Sequence, residues 1–550
     1  MKIVLGDKIS ERGLALLDAT GWFVSLPSRG ALAVELADAD ALIVRSATHV
    51  TAELLGHGPR LRVIGRAGVG VDNIDVEAAT RRGILVMNTP GGNAVSVAEH
   101  TLALLLALTR SVPQWSAAVH AGRWEKSGAA GIELRGKTLG LIGLGRVGIE
   151  VARRAHGLEM DVLACDPYIS EKVAREVGAE LVPLAELLAR SDFVSLHAAL
   201  GPATDKIINA ATIGQMKRGA RLVNTARGEL VDETALAEAL RSGRLAGAAL
   251  DVFAEEPPRG SPLLGLPNVI ATPHVAGSTE EAQEEVGYLI AQQVRDFLAE
   301  GVLRNAVNLP TLSAEQYRRL RPYIELGERL GLLVSQVVPG SIGRIRISYA
   351  GEPAELGTHI LRNAVLEGVL NAVLDEKVNL VNAGTVAAAR GLVVEELTRR
   401  REHGFPNTLE VAVAPTAPGA APDAIGNSRE LAVEGTVLHN LSPRLLAIDG
   451  IELEAPLEGT LLFLRNRDVP GVIGQVGTIL GSRQINIATF ALGRREAVRG
   501  AEAIALVRLD GEVPDSILQP IRGIAAVTEA RLVRLPGSTA EASMRTAVPS

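Results

Sequence analysis

Residues 138–148 read Thr138-Leu139-Gly140-Leu141-Ile142-Gly143-Leu144-Gly145-Arg146-Val147-Gly148, an apolar run that breaks into glycines spaced G-x-G-x-x-G. A strand that feeds such a turn and opens a helix cradles a dinucleotide pyrophosphate. Gly143 permits the tight turn, Gly145 lets phosphates approach the backbone, and Gly148 lets helix pack on strand. The helix start at Arg146 and Val147 adds N–H groups and the positive end of its dipole. A lone glycine turn would serve equally well as a plain connector. Here, however, the next apolar run, Asp161 to Cys165, ends on Asp166, at the spacing from which an acid accepts ribose hydroxyls. That acid would repel a 2′-phosphate, and no arginine follows it in Pro167-Tyr168-Ile169-Ser170. The pattern predicts an NAD site rather than an NADP site.

Working outward, short apolar runs alternate with helical patterns on both sides. Lys2 to Leu5, Ala41 to Val44, Leu61 to Ile64 and Ile84 to Val86 precede the motif. Phe193 to Leu196, Arg221 to Asn224, Ala248 to Val252 and Val269 to Thr272 follow it. This alternation predicts α/β units with parallel sheets. A long helix from Ala94 to Thr109 and a polar stretch from Gln114 to Gly136 separate the two series, so the first unit ends near residue 98. A Glu- and Gln-rich helix over Ser278 to Glu300 could carry the chain back to that unit and make it discontinuous. From Pro310 the texture changes: a helix over Ala314 to Val338, a strand over Arg344 to Tyr349, a helix over Glu355 to Leu374, and a Pro/Ala/Gly-rich loop over Ala414 to Ala424. A last unit from Gly459 shows strand, helix Val472 to Arg483, strand Ile485 to Leu492 and strand Glu502 to Leu509. The tail from Pro536 is rich in small and polar residues and is expected to be disordered.

With 550 residues the chain should form three or four domains. A net charge of -7 gives no global attraction to nucleic acid or anionic membrane, so an anionic substrate needs a local basic pocket. The single cysteine, Cys165, excludes an internal disulfide and a multi-thiolate zinc site. No signal peptide is legible at Met1 to Gly6, and the apolar run Leu102 to Leu108 is far shorter than a membrane span. A cytoplasmic protein with no metal, no membrane and no nucleic-acid partner is expected.

Three further segments fall at strand ends of the second series, where open α/β sheets form their ligand crevice. They are Asn224-Thr225-Ala226-Arg227-Gly228, Asp251 to Pro258 (Asp-Val-Phe-Ala-Glu-Glu-Pro-Pro) and Thr272-Pro273-His274-Val275-Ala276-Gly277. An arginine can grip a carboxylate, an imidazole can take a proton near neutral pH, and an acid on its other nitrogen fixes the tautomer. Each alone could be an ion pair, a turn acid or a satisfied polar group. Behind the dinucleotide motif they resemble the D-2-hydroxyacid dehydrogenase family, over residues 1 to 305. The resemblance implies a doubly wound Rossmann NAD domain over 99–282, and a flavodoxin-like discontinuous substrate domain over 1–98 and 283–306. It assigns Arg227, Glu256 and His274 to catalysis, and Thr225 and Asp251 to the cofactor side. The resemblance prefers Glu256 over Glu255, because Glu256 directly precedes Pro257-Pro258 as the family pattern requires.

Arg45-Ser46-Ala47-Thr48 and Gly65 to Asn73 look like the substrate loops of the family's phosphoglycerate-oxidising members, which implies 3-phosphoglycerate as substrate. N–H groups around Gly68, Val69 and Gly70 would form an anion nest for the carboxylate. Arg45 and Arg66 would take the phosphate, although structural ion pairing of either is an open alternative. Asn93 would also touch substrate. Residues 307–456 resemble the extra α+β domain of the family's long forms. There Arg399-Arg400-Arg401 could hold an anion or simply end a helix.

Residues 457–536 resemble an ACT domain, a ferredoxin-like βαββαβ unit, through Leu464 to Gly471 and Ile485-Asn486-Ile487. Asn466, Asp468 and Asn486 match positions that hold L-serine in related domains. ACT sheets pair between chains, so the resemblance implies a homo-oligomer, a tetramer. Competing readings are a glyoxylate or hydroxypyruvate reductase on the same scaffold and an NAD-sensing co-repressor.

Overall fold

A computed structural model of the chain describes residues 1–124, 130–310, 312, 314–338, 342–374, 378–399, 405–415, 430–438 and 441–537. The tail beyond 537, most of the Pro/Ala/Gly-rich loop, Arg400 and Arg401 lie outside the described residues.

The first sheet joins β1 (Lys2–Leu5), β2 (Phe23–Ser25), β3 (Ala41–Val44), β4 (Val63–Arg66) and β5 (Leu85–Met87) in the all-parallel order β2-β1-β3-β4-β5. All four residues of β3 are buried, as in a strand covered on both faces. One cover is the returning helix Glu280–Glu300, whose Val286, Ile290, Val294 and Leu298 complete this core. It crosses the helix Glu11–Asp18 at a glycine pair: a side-chain carbon on Gly13 would lie 2.6 Å from Gly287 O. The chain thus leaves the first sheet after β5 and comes back to it.

The second sheet is also all parallel: β6 (Thr138–Ile142), β7 (Asp161–Cys165), β8 (Ala179–Leu181), β9 (Phe193–Leu196), β10 (Arg221–Asn224), β11 (Gly247–Leu250) and β12 (Val269–Ala271). Its order is β12-β11-β10-β9-β6-β7-β8. The strand order reverses at β6, so the glycine turn that follows it stands at the crevice of a doubly wound sheet. Helix Ala94–Arg110 packs its leucines into the core of this sheet with Leu139, Leu141 and Val151. At Ser111, φ 48, the chain turns into a second helix, Val112–His120, with Pro113 in its first turn. That helix occupies part of what reads as a polar stretch in sequence, and none of its residues is buried. No single helix among the described residues is long and apolar enough to cross a membrane.

The third sheet is mixed: Ile342–Ala350 pairs in parallel with Val393–Thr398 and antiparallel with Thr408–Pro415. Helices Ala314–Val337 and Thr358–Asn371 cover it and meet at glycines, Gly331 lying against Val365 O and Gly368 against Glu328 O. The expected helix over 355–374 comes as two pieces, Glu352–Leu356 and Thr358–Asn371, because Gly357 breaks it. This unit touches the first through Asn379, whose Nδ2 donates to Gly83 O at 2.8 Å. The last unit is βαββαβ, with Gly459–Arg467 central in a four-stranded antiparallel sheet. Its second strand runs Ile487–Arg494, two residues later than the apolar pattern indicates; Asn486, just before it, bonds Asp510 beyond the end of the neighbouring strand Glu502–Leu509.

Candidate active site

The C-terminal strand ends of the first two sheets hold the residues singled out in sequence. On the first sheet, Asp7 just beyond β1 organises the loop beyond β3. Its carboxylate accepts Arg45 N at 2.7 Å and Thr48 N at 3.2 Å, while Asn73 Nδ2 donates to Arg45 O and Thr48 O at 2.7 and 2.6 Å. Asp7 escaped the sequence reading, although its place directly after a strand was a usable signal. Arg66 is the last residue of β4, and its guanidinium folds over Gly68, where φ is 149 and a side-chain carbon would lie 1.4 Å from Nη1. A side chain at Gly68 would be strained by that φ and would displace the Arg66 guanidinium.

Arg66 donates from Nη1 to Ala67 O at 3.3 Å, and its buried Nε has no partner among the described residues. Burial holds its pKa below the usual arginine value; Asp72 opposes that shift, and Arg227 and Arg45 reinforce it. The three guanidinium groups thus share this end of the cleft with two carboxylates, Asp72 and Asp7. Arg227 reaches Asp72 Oδ2 at 3.2 Å across Gly70, where a side-chain carbon would lie 2.3 Å from Nη2. Gly68 N–H is already given to Arg66 O at 2.9 Å, which leaves Val69 and Gly70 as the donors of the expected nest.

On the second sheet, Gly143 has φ 97, and a side-chain carbon there would meet Ala198 N and His197 O at 2.7 Å. At Gly148 it would lie 2.4 Å from Gly143 O, so the helix Arg146–Gly157 packs on the turn only without a side chain. Nothing lies within 4 Å of the same position at Gly145, which leaves open space over the turn. Asp166 is locked by Leu144 N on one oxygen, at 2.8 Å, and Tyr168 N on the other, at 2.9 Å. Each oxygen keeps a lone pair for a hydroxyl. These features fit a dinucleotide. Arg146 bonds Pro90 O across the crevice, and Val147 is half-buried behind it. Thr225, nearly buried, bonds Thr101 Oγ1 at 2.8 Å.

The reactive pair sits where loops meet. Gly228 lies against Phe253, where a side-chain carbon would be 1.9 Å from the carbonyl carbon, so the turn carrying Arg227 packs directly on the loop carrying Glu256. Glu256 Oε2 lies 2.7 Å from His274 Nδ1, and its other oxygen accepts Phe253 N at 3.2 Å. His274 has φ 53, a left-handed conformation uncommon for such a residue. The turn is held from inside by Asp251, which is fully buried and accepts Thr272 Oγ1 at 2.5 Å, Val275 N at 3.0 Å and Ala276 N at 2.9 Å. His100 Nε2 lies 3.2 Å from Thr272 Oγ1 and 3.5 Å from Asp251 Oδ1. Burial is the largest single influence on Asp251 and pushes its pKa up, but the bonds from His100, Thr272, Val275 and Ala276 bring it down to about 2. The carboxylate of Asp251, read in sequence as a cofactor contact, is bonded by the 272–277 turn that carries His274. Asn93 lies between the units, its Nδ2 against Gly277.

In the last unit a cavity of about 420 Å³ is lined by Asn466, Asp468, Gly471, Phe490, Arg494 and Arg499. Asp468 pairs with Arg494 at 3.2 Å. Asn486 is not in this wall; its Nδ2 donates to Asp510 Oδ2 at 2.6 Å. Of the basic trio near 400, Arg399 pairs with Glu410 at 2.9 Å.

Residues 102–276 match the D-isomer specific 2-hydroxyacid dehydrogenase NAD binding domain, 319–449 the D-3-phosphoglycerate dehydrogenase intervening domain, and 460–526 the ACT domain. The D-3-phosphoglycerate dehydrogenase of Methanocaldococcus jannaschii is 41% identical over 97% of this chain and all of its own length. That of Bacillus subtilis is 38% identical over the same shares. Among solved structures, a glyoxylate reductase from Paecilomyes thermophila matches with TM-score 0.51 at 32% identity, covering 56% of this chain and 98% of its own.

Proposed function

The chain belongs to the D-3-phosphoglycerate dehydrogenase family, and on that premise we propose that it oxidises 3-phospho-D-glycerate with NAD to 3-phosphohydroxypyruvate, NADH and a proton, the step that commits carbon to L-serine. Arg227 and the N–H groups of Val69 and Gly70 hold the carboxylate. Arg45 and Arg66 take the phosphate, with Asn93 closing the site between the units. The glycine turn, Asp166 and Thr225 hold the cofactor. His274 Nε2 takes the hydroxyl proton: with Nδ1–H given to Glu256, the other nitrogen is left with its lone pair. Glu256 balances the imidazolium as it forms. Bound by these residues, NAD would supply the hydride acceptor for the oxidation. Residues 1–98 with 283–306 serve the substrate, 99–282 the cofactor, and 307–456 and 457–536 regulation.

The observation that carries the substrate is the cluster of Arg45, Arg66 and Arg227, in which Arg66 is largely buried and its Nε has no partner among the described residues. A substrate with one carboxylate needs one such cation; a carboxylate and a phosphate dianion together need more. The test is NADH formation across a panel of D-2-hydroxy acids, phosphorylated and not. Turnover confined to non-phosphorylated acids would overturn the assignment.

L-serine is the effector this reading assigns to the last unit, in the cavity at Asn466 and Asp468, within a homotetramer whose paired sheets bring Asn486 of a second chain to the same place. The reaction belongs in the cytoplasm, where the lone thiol of Cys165 stays reduced. Titrating L-serine into the turning-over enzyme should lower the rate; an unchanged rate at millimolar serine would remove the effector.

A further inference from the structure

Glu256 lies on an exposed loop, Ala254 to Ser261, flanked by buried Phe253 and Leu263. Inside the loop the backbone bonds are local, Arg259 N to Pro257 O and Ser261 N to Pro258 O. Besides the Glu256–His274 bond, a side chain from outside grips it at both ends: Glu233 Oε1 accepts Ala254 N at 3.0 Å, and Oε2 accepts the Ser261 hydroxyl. One carboxylate thus grips both ends of the segment that presents Glu256 to His274.

Glu233 begins the helix Glu233–Arg241, whose Leu236, Ala237 and Leu240 are buried. Asp232 already caps that helix, accepting Thr234 N and Ala235 N. Capping therefore does not account for the Glu233 carboxylate, and among the described residues its bonds lead to the loop. A charged acceptor holds such donors more firmly than a neutral one.

We propose that Glu233 is a positioning residue for Glu256, holding the 254–261 loop so that the Glu256 carboxylate meets His274 Nδ1. This rests on the reading of Glu256 as the partner of the catalytic histidine.

The test is a kinetic cycle on the full-length enzyme. Glu233→Ala should lower kcat about tenfold through misplacement of the acid, while the Kd for NADH, read by fluorescence, changes less than about twofold. Glu233→Gln keeps an acceptor for Ala254 N–H and a group for Ser261, and should recover most of the loss. In a Glu256→Gln background, Glu233→Ala should cost less than about a further twofold, because its effect passes through Glu256. If Glu233→Ala does not fold, Ser261→Ala removes one of the two bonds and should lower kcat about threefold.

Wild-type turnover of Glu233→Ala, or of Ser261→Ala where it stands in, overturns the inference. So does a full further loss in the Glu256→Gln background. Wild-type turnover of Glu256→Gln alone would instead overturn the role of Glu256, and this inference with it.

Discussion

His274 and Glu256 share one hydrogen bond, yet their loops are held in opposite ways. The 272–277 turn wraps a buried carboxylate, Asp251, whose oxygens are taken by a hydroxyl and two backbone N–H groups of that same turn. The 254–261 loop lies in solvent and hangs from Glu233. Buried polar networks act in a low dielectric, where a satisfied set is rigid and a broken one is costly. An exposed clamp is weaker and can give. The base is therefore placed by the interior of the NAD unit, together with the left-handed backbone it has to adopt, and the acid by the surface. Damage to the first loop should cost stability and turnover together; damage to the second should cost turnover alone.

The largest effect is expected at the base itself. His274→Ala should lower kcat by about 100-fold or more while NADH still binds, measured by initial rates and cofactor fluorescence. Next comes its anchor. Asp251→Asn turns an amide donor toward the N–H groups of Val275 or Ala276, and should cost about 2–4 kcal/mol of stability along with much of kcat. The pH dependence has a definite sign. The folded pKa near 2 lies below the ordinary carboxyl value of 3.8, so this stabilisation is complete above about pH 4 and is lost as pH falls toward 2. Acid unfolding followed by circular dichroism should show that component vanish in Asp251→Asn.

Smaller effects belong to binding. Arg66→Ala should raise KM for 3-phospho-D-glycerate about tenfold and for D-glycerate much less, since only the former presents a dianion. Equal changes would make Arg66 a structural residue. Asp166→Ala should reduce the ratio of kcat/KM with NAD to that with NADP about fivefold, by removing the acceptor for the ribose and the repulsion of a 2′-phosphate.

The glycine turn, Asp166, and the residues at the ends of β10, β11 and β12 are legible in sequence because their chemistry is local: strand, turn and helix start lie within a dozen residues. What could not be read joins distant positions. Asp72 meets Arg227, His100 meets Thr272, and Glu233 meets Ala254 and Ser261. The direction of the Asp251 carboxylate was equally hidden, since a strand end predicts proximity to the crevice but not which way an acid turns. The glycine at position 68 looked like part of an anion nest; only the folded loop shows that it makes room for the side chain two residues before it. Asn486 matched an effector position by local pattern, yet within one chain it faces Asp510.

The central claim is that the arginine cluster makes the cleft selective for a phosphorylated hydroxy acid. Its most direct test is the ratio of kcat/KM for 3-phospho-D-glycerate to that for D-glycerate, measured by NADH formation on one preparation of the unmodified enzyme. The account expects a ratio of about 100 or more, the worth of two charge-assisted contacts. Comparable values for the two acids would contradict it.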